Sequence, residues 1–275
     1  EETLYDDIYN AATIGSISKN YKIIASGYGQ NLAIKTDNSI AAWGYNDDGE
    51  CDVTEPNSGF ISVASGLLHS LGIKSNGSII AWGWNVSGQC TVPEPNSDFV
   101  SVAAGTYHSL GLKSNGSIIT WGSNTDDQCT VPDPNSGFIS IAAGTYHSLG
   151  LKSDGSIVTW GSNTYGQCNV PAPNSDFVSV TSGLYHSLGI KSDGSIVAWG
   201  WNSDGQCIIP GPNSDFVSVA GGLLHSLGLK SDGSIIAWGS NDLDQCTVPV
   251  PNSGFVSISA GTYHSLGLKS DGSIV

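Results

Sequence analysis

Residues Phe99–Gly137 read FVSVAAGTYHSLGLKSNGSIITWGSNTDDQCTVPDPNSG. Short apolar runs broken by Gly, Ser, Asn and Pro predict four strands, at about Val100–Ala103, Ser109–Lys113, Ser117–Trp121 and Gln128–Val131. Ser114-Asn115-Gly116 joins the middle two. Asn-Gly tolerates positive φ at both central positions of a tight primed turn, so this pair of strands reads as a hairpin. Pro132 and Pro134 cannot donate to a ladder, so Pro132–Ser136 reads as a polar crossover into the next segment of chain.

That next segment is the same unit again. Trp-Gly recurs at Trp43, Trp82, Trp121, Trp160, Trp199 and Trp238, each 39 residues after the last. The same spacing orders His69, His108, His147, His186, His225 and His264, and also Cys51, Cys90, Cys129, Cys168, Cys207 and Cys246. A period near 40 built of short strands, without the amphipathic runs of a helical solenoid, is the pattern of propeller blades.

The count of units sets the expected architecture. From Tyr21, aligned with Phe60, to Val275 there are 255 residues, whereas seven units of 39 need 273. The seventh unit breaks off at Ser273-Ile274-Val275, 18 residues short. Ala12-Thr13-Ile14 stands 39 residues before Cys51-Asp52-Val53 and resembles the Cys-Thr-Val of other units, such as Cys90-Thr91-Val92. Residues 1–20 are therefore expected to supply an outer strand near Ala12–Ser16 to the unit 255–275, removing two exposed sheet edges. The expected fold is an all-β, seven-bladed β-propeller of four-stranded antiparallel blades, residues 21–275, closed by that N-terminal strand.

Composition narrows the function. The chain of 275 residues carries 36 Gly, 11 Pro and 12% charged residues, so long solvated helices are poorly supported. Acidic residues outnumber basic ones 24 to 9, the net charge is −15, and every basic residue is Lys. Nucleic acid is excluded as a partner on that balance. No apolar run approaches the roughly 20 residues of a membrane span, so no membrane insertion is expected in this portion. The absence of Met, even at position 1, together with low charge and the sequons at Asn76, Asn85 and Asn115, points to a processed piece of an exported precursor, extracellular or on a cell surface.

The stretch AAGTYHSLGLKSDGSIVTWGSNTYGQC, residues 142–168, resembles the repeat of the regulator of chromosome condensation family, and the resemblance runs over residues 21–275. It implies a seven-bladed propeller, here of the secreted bacterial type. For function it implies little, because the repeat serves guanine-nucleotide exchange factors, a β-lactamase inhibitor protein and many secreted proteins. This chain has Cys where the family usually has Leu, and it lacks the basic tails and Arg contacts of chromatin-associated members.

The repeated side chains read as structural. The six His are expected to be buried, neutral and hydrogen-bonded to backbone within or between blades, with Gln30 in the equivalent place in the first unit. Trp43, Trp82, Trp121, Trp160, Trp199 and Trp238 are expected to wedge between blades. The six Cys read as small buried hydrophobes with free thiols, because neighbours on a ring of about 10 Å radius stand about 9 Å apart, beyond disulfide reach. Lys35 and its equivalents read as a solvated ring beside turn Asp residues such as Asp154 and Asp193.

Near-identical units can carry information only where they differ. They differ in the loop after Trp-Gly, with Tyr45, Trp84, Tyr165 and Trp201, and in the pair before each His, with Leu68, Tyr107, Tyr146, Tyr185, Leu224 and Tyr263. Large rings at variable positions suit contact with another protein, or stacking on glycans, with plugging of blade junctions as the alternative for the second set. No Ser-His-Asp set, phosphate loop or singular carboxylate pair suggests an enzyme. Asp47-Asp48-Gly49-Glu50 and Ser203-Asp204-Gly205 lack full calcium-ligand spacing, so neither metal nor cofactor is expected. The expected function is a non-enzymatic protein-binding or surface-display module, the alternatives being a lectin-like propeller or an exchange factor for a small GTPase.

Overall fold

The computed structural model describes residues 20–275. The expected closing strand near Ala12–Ser16 lies outside the described residues. Among those described there are strands and no helix. They form six three-stranded sheets and one two-stranded sheet, one per repeat, each in antiparallel sequence order. In the third repeat the strands are Phe99–Ala104, His108–Lys113 and Ile118–Gly122.

The fourth expected strand is absent: Gln128–Val131 is turn and irregular chain. Side chains claim its polar groups. The Gln128 carbonyl accepts from the Trp160 indole at 2.8 Å and from the Ser148 hydroxyl at 2.9 Å, both in the next repeat. The outer edge of Ile118–Gly122 meets Asn135 instead of a strand. Its amide accepts from Ile118 N at 2.8 Å and donates to Ile118 O at 2.8 Å, so one side chain does a strand's pairing at that point.

The hairpin turn also departs from the expected type. Gly116 N donates to Lys113 O at 2.9 Å and Lys113 N to Ser117 O at 2.8 Å, which encloses three residues rather than two. Only Gly116 has positive φ there (80°), as in a type I turn followed by a glycine bulge. Asn115 stays at negative φ, its side chain accepting from Ser117 N at 3.0 Å.

Packing lies at the junctions between repeats. Leu110, Leu112 and Ile118 of one repeat meet Phe138, Ile141 and Trp160 of the next in a single buried cluster. Gly111 leaves room for the Phe99 ring of its own repeat, since a Cβ there would stand 2.4 Å from it. Each junction is thus a small core of its own, the nearest-neighbour arrangement of repeat architectures. The first strands of all seven repeats line one shared cavity of about 290 Å³. The seventh repeat contacts the first through Thr262 N to Gly27 O (3.0 Å), Tyr21 N to Gly272 O (3.4 Å) and His264 Nε2 to Asn31 Oδ1 (2.7 Å).

Candidate binding face

The strand register brings the two variable sets together. His108 pairs with Gly122, and the equivalent pairing recurs in the other three-stranded repeats. The residue before each His therefore lies beside the residue after each Trp-Gly. Trp84 N donates to Leu68 O at 2.8 Å, Trp201 N to Tyr185 O at 3.0 Å, and Ser123 N to Tyr107 O at 2.8 Å. Ser162 with Tyr146 and Ser240 with Leu224 repeat the bond at 2.8 Å, and Tyr45 N reaches Gly29 O at 3.0 Å. Both sets thus occupy the same end of the sheets, opposite the hairpin turns.

Two aromatic groups form across repeat junctions on that end. Tyr165 stands edge-on to Trp201, ring centres 4.3 Å apart at 83°, and meets Tyr185 at 5.5 Å. Tyr28 bridges Tyr45 at 6.3 Å and Tyr263 at 5.9 Å, joining the first repeat to the seventh. Sequence reading missed Tyr28, although it occupies the position of Leu67 in the first unit. It also passed over Val86 and Leu243, exposed by 79% and 39% at loop positions where other units carry polar residues. Tyr165 is 42% exposed, while Trp84 and Trp201 are half-buried.

The electrostatics of this end are one-signed. Its loops carry Asp47, Asp48, Asp126, Asp127, Asp204, Asp242 and Asp244, and no Lys. Burial, then a hydrogen bond with Asp47 and the charges around it, pushes the Tyr45 hydroxyl up to about 12. Glu50, in the place of a Gln in five later units, has a buried carboxyl whose pKa is raised by burial first and by Asp48 and Asp47 after it.

The repeated side chains sit beneath this face. His69 is fully buried, and its Nε2 bonds the hydroxyl of Ser109 in the next repeat at 2.9 Å, not a backbone group. Gln30 instead donates to Gly66 O at 3.0 Å. Trp82, Trp121, Trp160, Trp199 and Trp238 are buried in the junction clusters, while Trp43 is half-buried beside Ile24 and Leu268. The Cys residues are free but half-buried rather than fully buried. Cys129 Sγ lies 3.2 Å from Ser123 O, and burial pushes its thiol up to about 11.

At the opposite end Lys74, Lys113, Lys152, Lys191, Lys230 and Lys269 each lie over a Phe ring rather than forming a solvated ring. Lys113 Nζ donates to Pro95 O at 2.9 Å and Ser97 O at 2.5 Å, and it lies 3.8 Å from the centre of the Phe99 ring. The register pairs Phe99 with Lys113, so the ammonium is delivered over the ring and onto the crossover carbonyls.

Five stretches, residues 60–89, 99–128, 138–167, 177–206 and 216–245, match the family model for the regulator of chromosome condensation (RCC1) repeat. No curated protein matches the chain. Among solved structures, the ectodomain of the Physcomitrella patens receptor kinase CR4 is similar, with TM-score 0.77 and 23% identity, covering 92% of this chain and 72% of that one. The CRINKLY WD40 ectodomain of the Arabidopsis thaliana receptor kinase ACR4 gives 0.75 and 24%, covering 93% and 96%. Prp20p from Saccharomyces cerevisiae gives 0.75 and 19%, covering 89% and 81%. At such identities the likeness shows a shared fold.

Proposed function

The chain belongs to the regulator of chromosome condensation (RCC1) repeat family, and on that premise we propose that it is a non-enzymatic module that binds another protein through the end bearing the loops after Trp-Gly. One observation carries the reading. Repeats with the same backbone bonds differ at this end in side chains that packing does not dictate, since Trp84 and Trp201 stand where Ser123, Ser162 and Ser240 suffice elsewhere. Rings in that setting bury large area at low entropic cost. A protein partner also agrees with Prp20p, whose structure is described together with its binding to Gsp1p and histones.

The finer architecture belongs to the same proposal. Seven repeats make a seven-bladed ring, and residues 1–20 complete the blade begun by 255–275. In support, Tyr21 N to Gly272 O (3.4 Å) repeats the crossover bonds of Phe60 N to Asn38 O (2.9 Å) and Phe99 N to Gly77 O (3.0 Å). The chain therefore enters the first repeat where a crossover from the seventh would. Display outside the cell draws support from the exposed sequons Asn76, Asn85 and Asn115 and from the likeness to receptor-kinase ectodomains. No helix among the described residues is long and apolar enough to cross a membrane. Glycan binding receives less support, because the edge-on contact of Tyr165 with Trp201 occupies a ring face that sugar stacking would use.

The test compares Trp84→Ser, Trp201→Ser and the turn control Asp193→Ser against a partner recovered from the native source, with a panel of small GTPases and a glycan array alongside. Each Trp variant is expected to lose about 2 kcal/mol of binding at unchanged melting temperature. Full retention in both moves the site to the Leu and Tyr positions before each His, or to the opposite end. Selective capture by glycans, or accelerated nucleotide release from a GTPase, replaces the proposal with one of the other two classes.

A further inference from the structure

All eight lysines among the described residues gather at one end of the sheets. Seven close the second strand of a repeat, and Lys22 donates to Asn38 in the first hairpin turn. The other end, with the loops after Trp-Gly, carries negative charge alone. Asp47, Asp126, Asp127, Asp204, Asp242 and Asp244 are exposed in those loops. They are spread over four of the repeats, and among the described residues no group of three or more His, Cys, Asp or Glu could hold a metal ion. A polypeptide bearing several cationic side chains fits that distribution, where a single ion does not.

At two places a carboxylate is tied to a group of rings. The Trp201 indole donates to Ser203 Oγ at 2.6 Å, and the Ser203 hydroxyl donates in turn to Asp204. Tyr165, edge-on to Trp201, is 42% exposed and so leaves a ring open beside that carboxylate. Tyr45, in the group of Tyr28 and Tyr263, is hydrogen-bonded with Asp47. Glu50 in the same loop is fully buried, with Oε2 accepting from Asp48 N at 2.9 Å and Oε1 without a partner. The charges of Asp47, Glu50 and Asp48 all act on Tyr45, and those of Asp48 and Asp47 act on Glu50. Three carboxylates around one tyrosine repel one another, and a cation brought to that tyrosine relieves the repulsion.

Resting on the reading of this end as a protein-binding face, we infer that it recognises a basic segment of its partner. Lys or Arg side chains of that segment seat on Tyr165 and Trp201 beside Asp204, and on Tyr28 and Tyr45 beside Asp47. An aromatic face is negative and an adjacent carboxylate adds a full charge, so an ammonium or guanidinium is held by both at once. The protein makes a pairing of this kind at its opposite end, where Lys113 Nζ lies 3.8 Å from the centre of the Phe99 ring. The unopposed charge of the loops steers a basic segment to this end, and the rings fix where its cations rest.

The probe is a capped octapeptide of alternating Gly and Arg, titrated calorimetrically into the full chain, with an uncharged peptide of the same shape carrying citrulline for Arg as its control. Two double variants separate site from net charge, Asp47→Asn with Asp204→Asn at this end and Asp193→Asn with Asp232→Asn at the hairpin turns. Both remove the same charge, and Asn already serves at the equivalent turn positions Asn76 and Asn115. A diazirine form of the Arg peptide, crosslinked to the unaltered protein, maps the contact without any substitution. Expected are saturable binding, roughly tenfold weaker for the citrulline peptide and for the first double variant but not the second, and crosslinks at residues 45–48, 165 and 201–204. Absence of saturable binding, equal affinity of the two peptides, equal effects of the two double variants, or crosslinks at the hairpin-turn end overturns the inference. If the peptide fails while Trp84→Ser and Trp201→Ser still lose the native partner, the binding face stands and only its preference for cations falls.

Discussion

His69 Nε2 and Ser109 Oγ, in successive repeats, lie 2.9 Å apart, and a third group fixes the direction of their bond. The Ser109 hydroxyl donates to Gln89 O at 2.9 Å, so its oxygen must accept from histidine, which carries its proton on Nε2. The Trp121 indole donates to the same Gln89 carbonyl at 2.7 Å. His69 and Gln89 of one repeat are thus tied to Ser109 and Trp121 of the next by three hydrogen bonds.

This tie makes stability acid-sensitive. Burial lowers the pKa of His69, His147, His225 and His264 to about 4, and that of His108 and His186 to about 3. The folded state therefore favours the neutral ring. Its contribution is complete above the ordinary value of about 6.5 and is lost as pH falls from there, because the unfolded chain binds protons that the folded chain refuses. Each histidine costs about 1.4 kcal/mol per pH unit across that window. Urea midpoints should be level from pH 8 to 7 and fall steeply below 6.5. Level midpoints down to pH 5 would show that the rings titrate freely in the folded protein.

Glu50 offers a gain of stability. The five later units place Gln here, and the Glu50 backbone carbonyl already accepts Trp82 and Ser70 as those units require. Its Oε2 accepts from Asp48 N at 2.9 Å, as Gln89 Oε1 accepts from Ser87 N at 3.0 Å, so what is out of place is the charge, buried and with its pKa raised. A carboxylate disfavoured in the folded state destabilises at neutral pH and ceases to do so as pH falls through its raised value. Glu50→Gln should raise the melting temperature at pH 7.5, and the gain should shrink on acidification. An unchanged or lower melting temperature at pH 7.5 would mean that the charge is balanced.

Asn135 can be tested by removing it. Asn135→Ala leaves Ile118 N and O without their partner, and each unpaired buried backbone group costs on the order of 1–3 kcal/mol. A loss of about 2 kcal/mol is expected in urea unfolding. Asn135→Asp should also destabilise, since it keeps the acceptor for Ile118 N but sets a carboxylate against Ile118 O. If both variants unfold like the parent, water replaces the side chain and the outer edge needs no such clamp.

The legible part of the fold was what the period and the local chemistry determine. The 39-residue spacing, the three inner strands and the junction tryptophans come from repetition and alternation within one unit. The fourth strand was misread because Gln128–Val131 has strand composition. Whether its carbonyls join a ladder depends on Trp160 and Ser148, which belong to another repeat. The lysines were misread for a related reason: Lys113 looks solvated until the register sets it opposite Phe99. Both variable sets of the face were visible in the sequence. Their adjacency emerges only once His108 is paired with Gly122, which carries Tyr107 to the side of Ser123.

The bond between the residue after Trp-Gly and the residue before His involves backbone atoms alone, so it is indifferent to which side chains meet there. A gene built of such units can exchange, duplicate or reorder whole repeats by unequal recombination without disturbing a joint. Each such event deals the rings of Tyr45, Trp84, Tyr165 and Trp201 into new neighbourhoods on an unaltered frame. Variation of this end can then proceed by shuffling modules, with far fewer trials spent on chains that fail to fold.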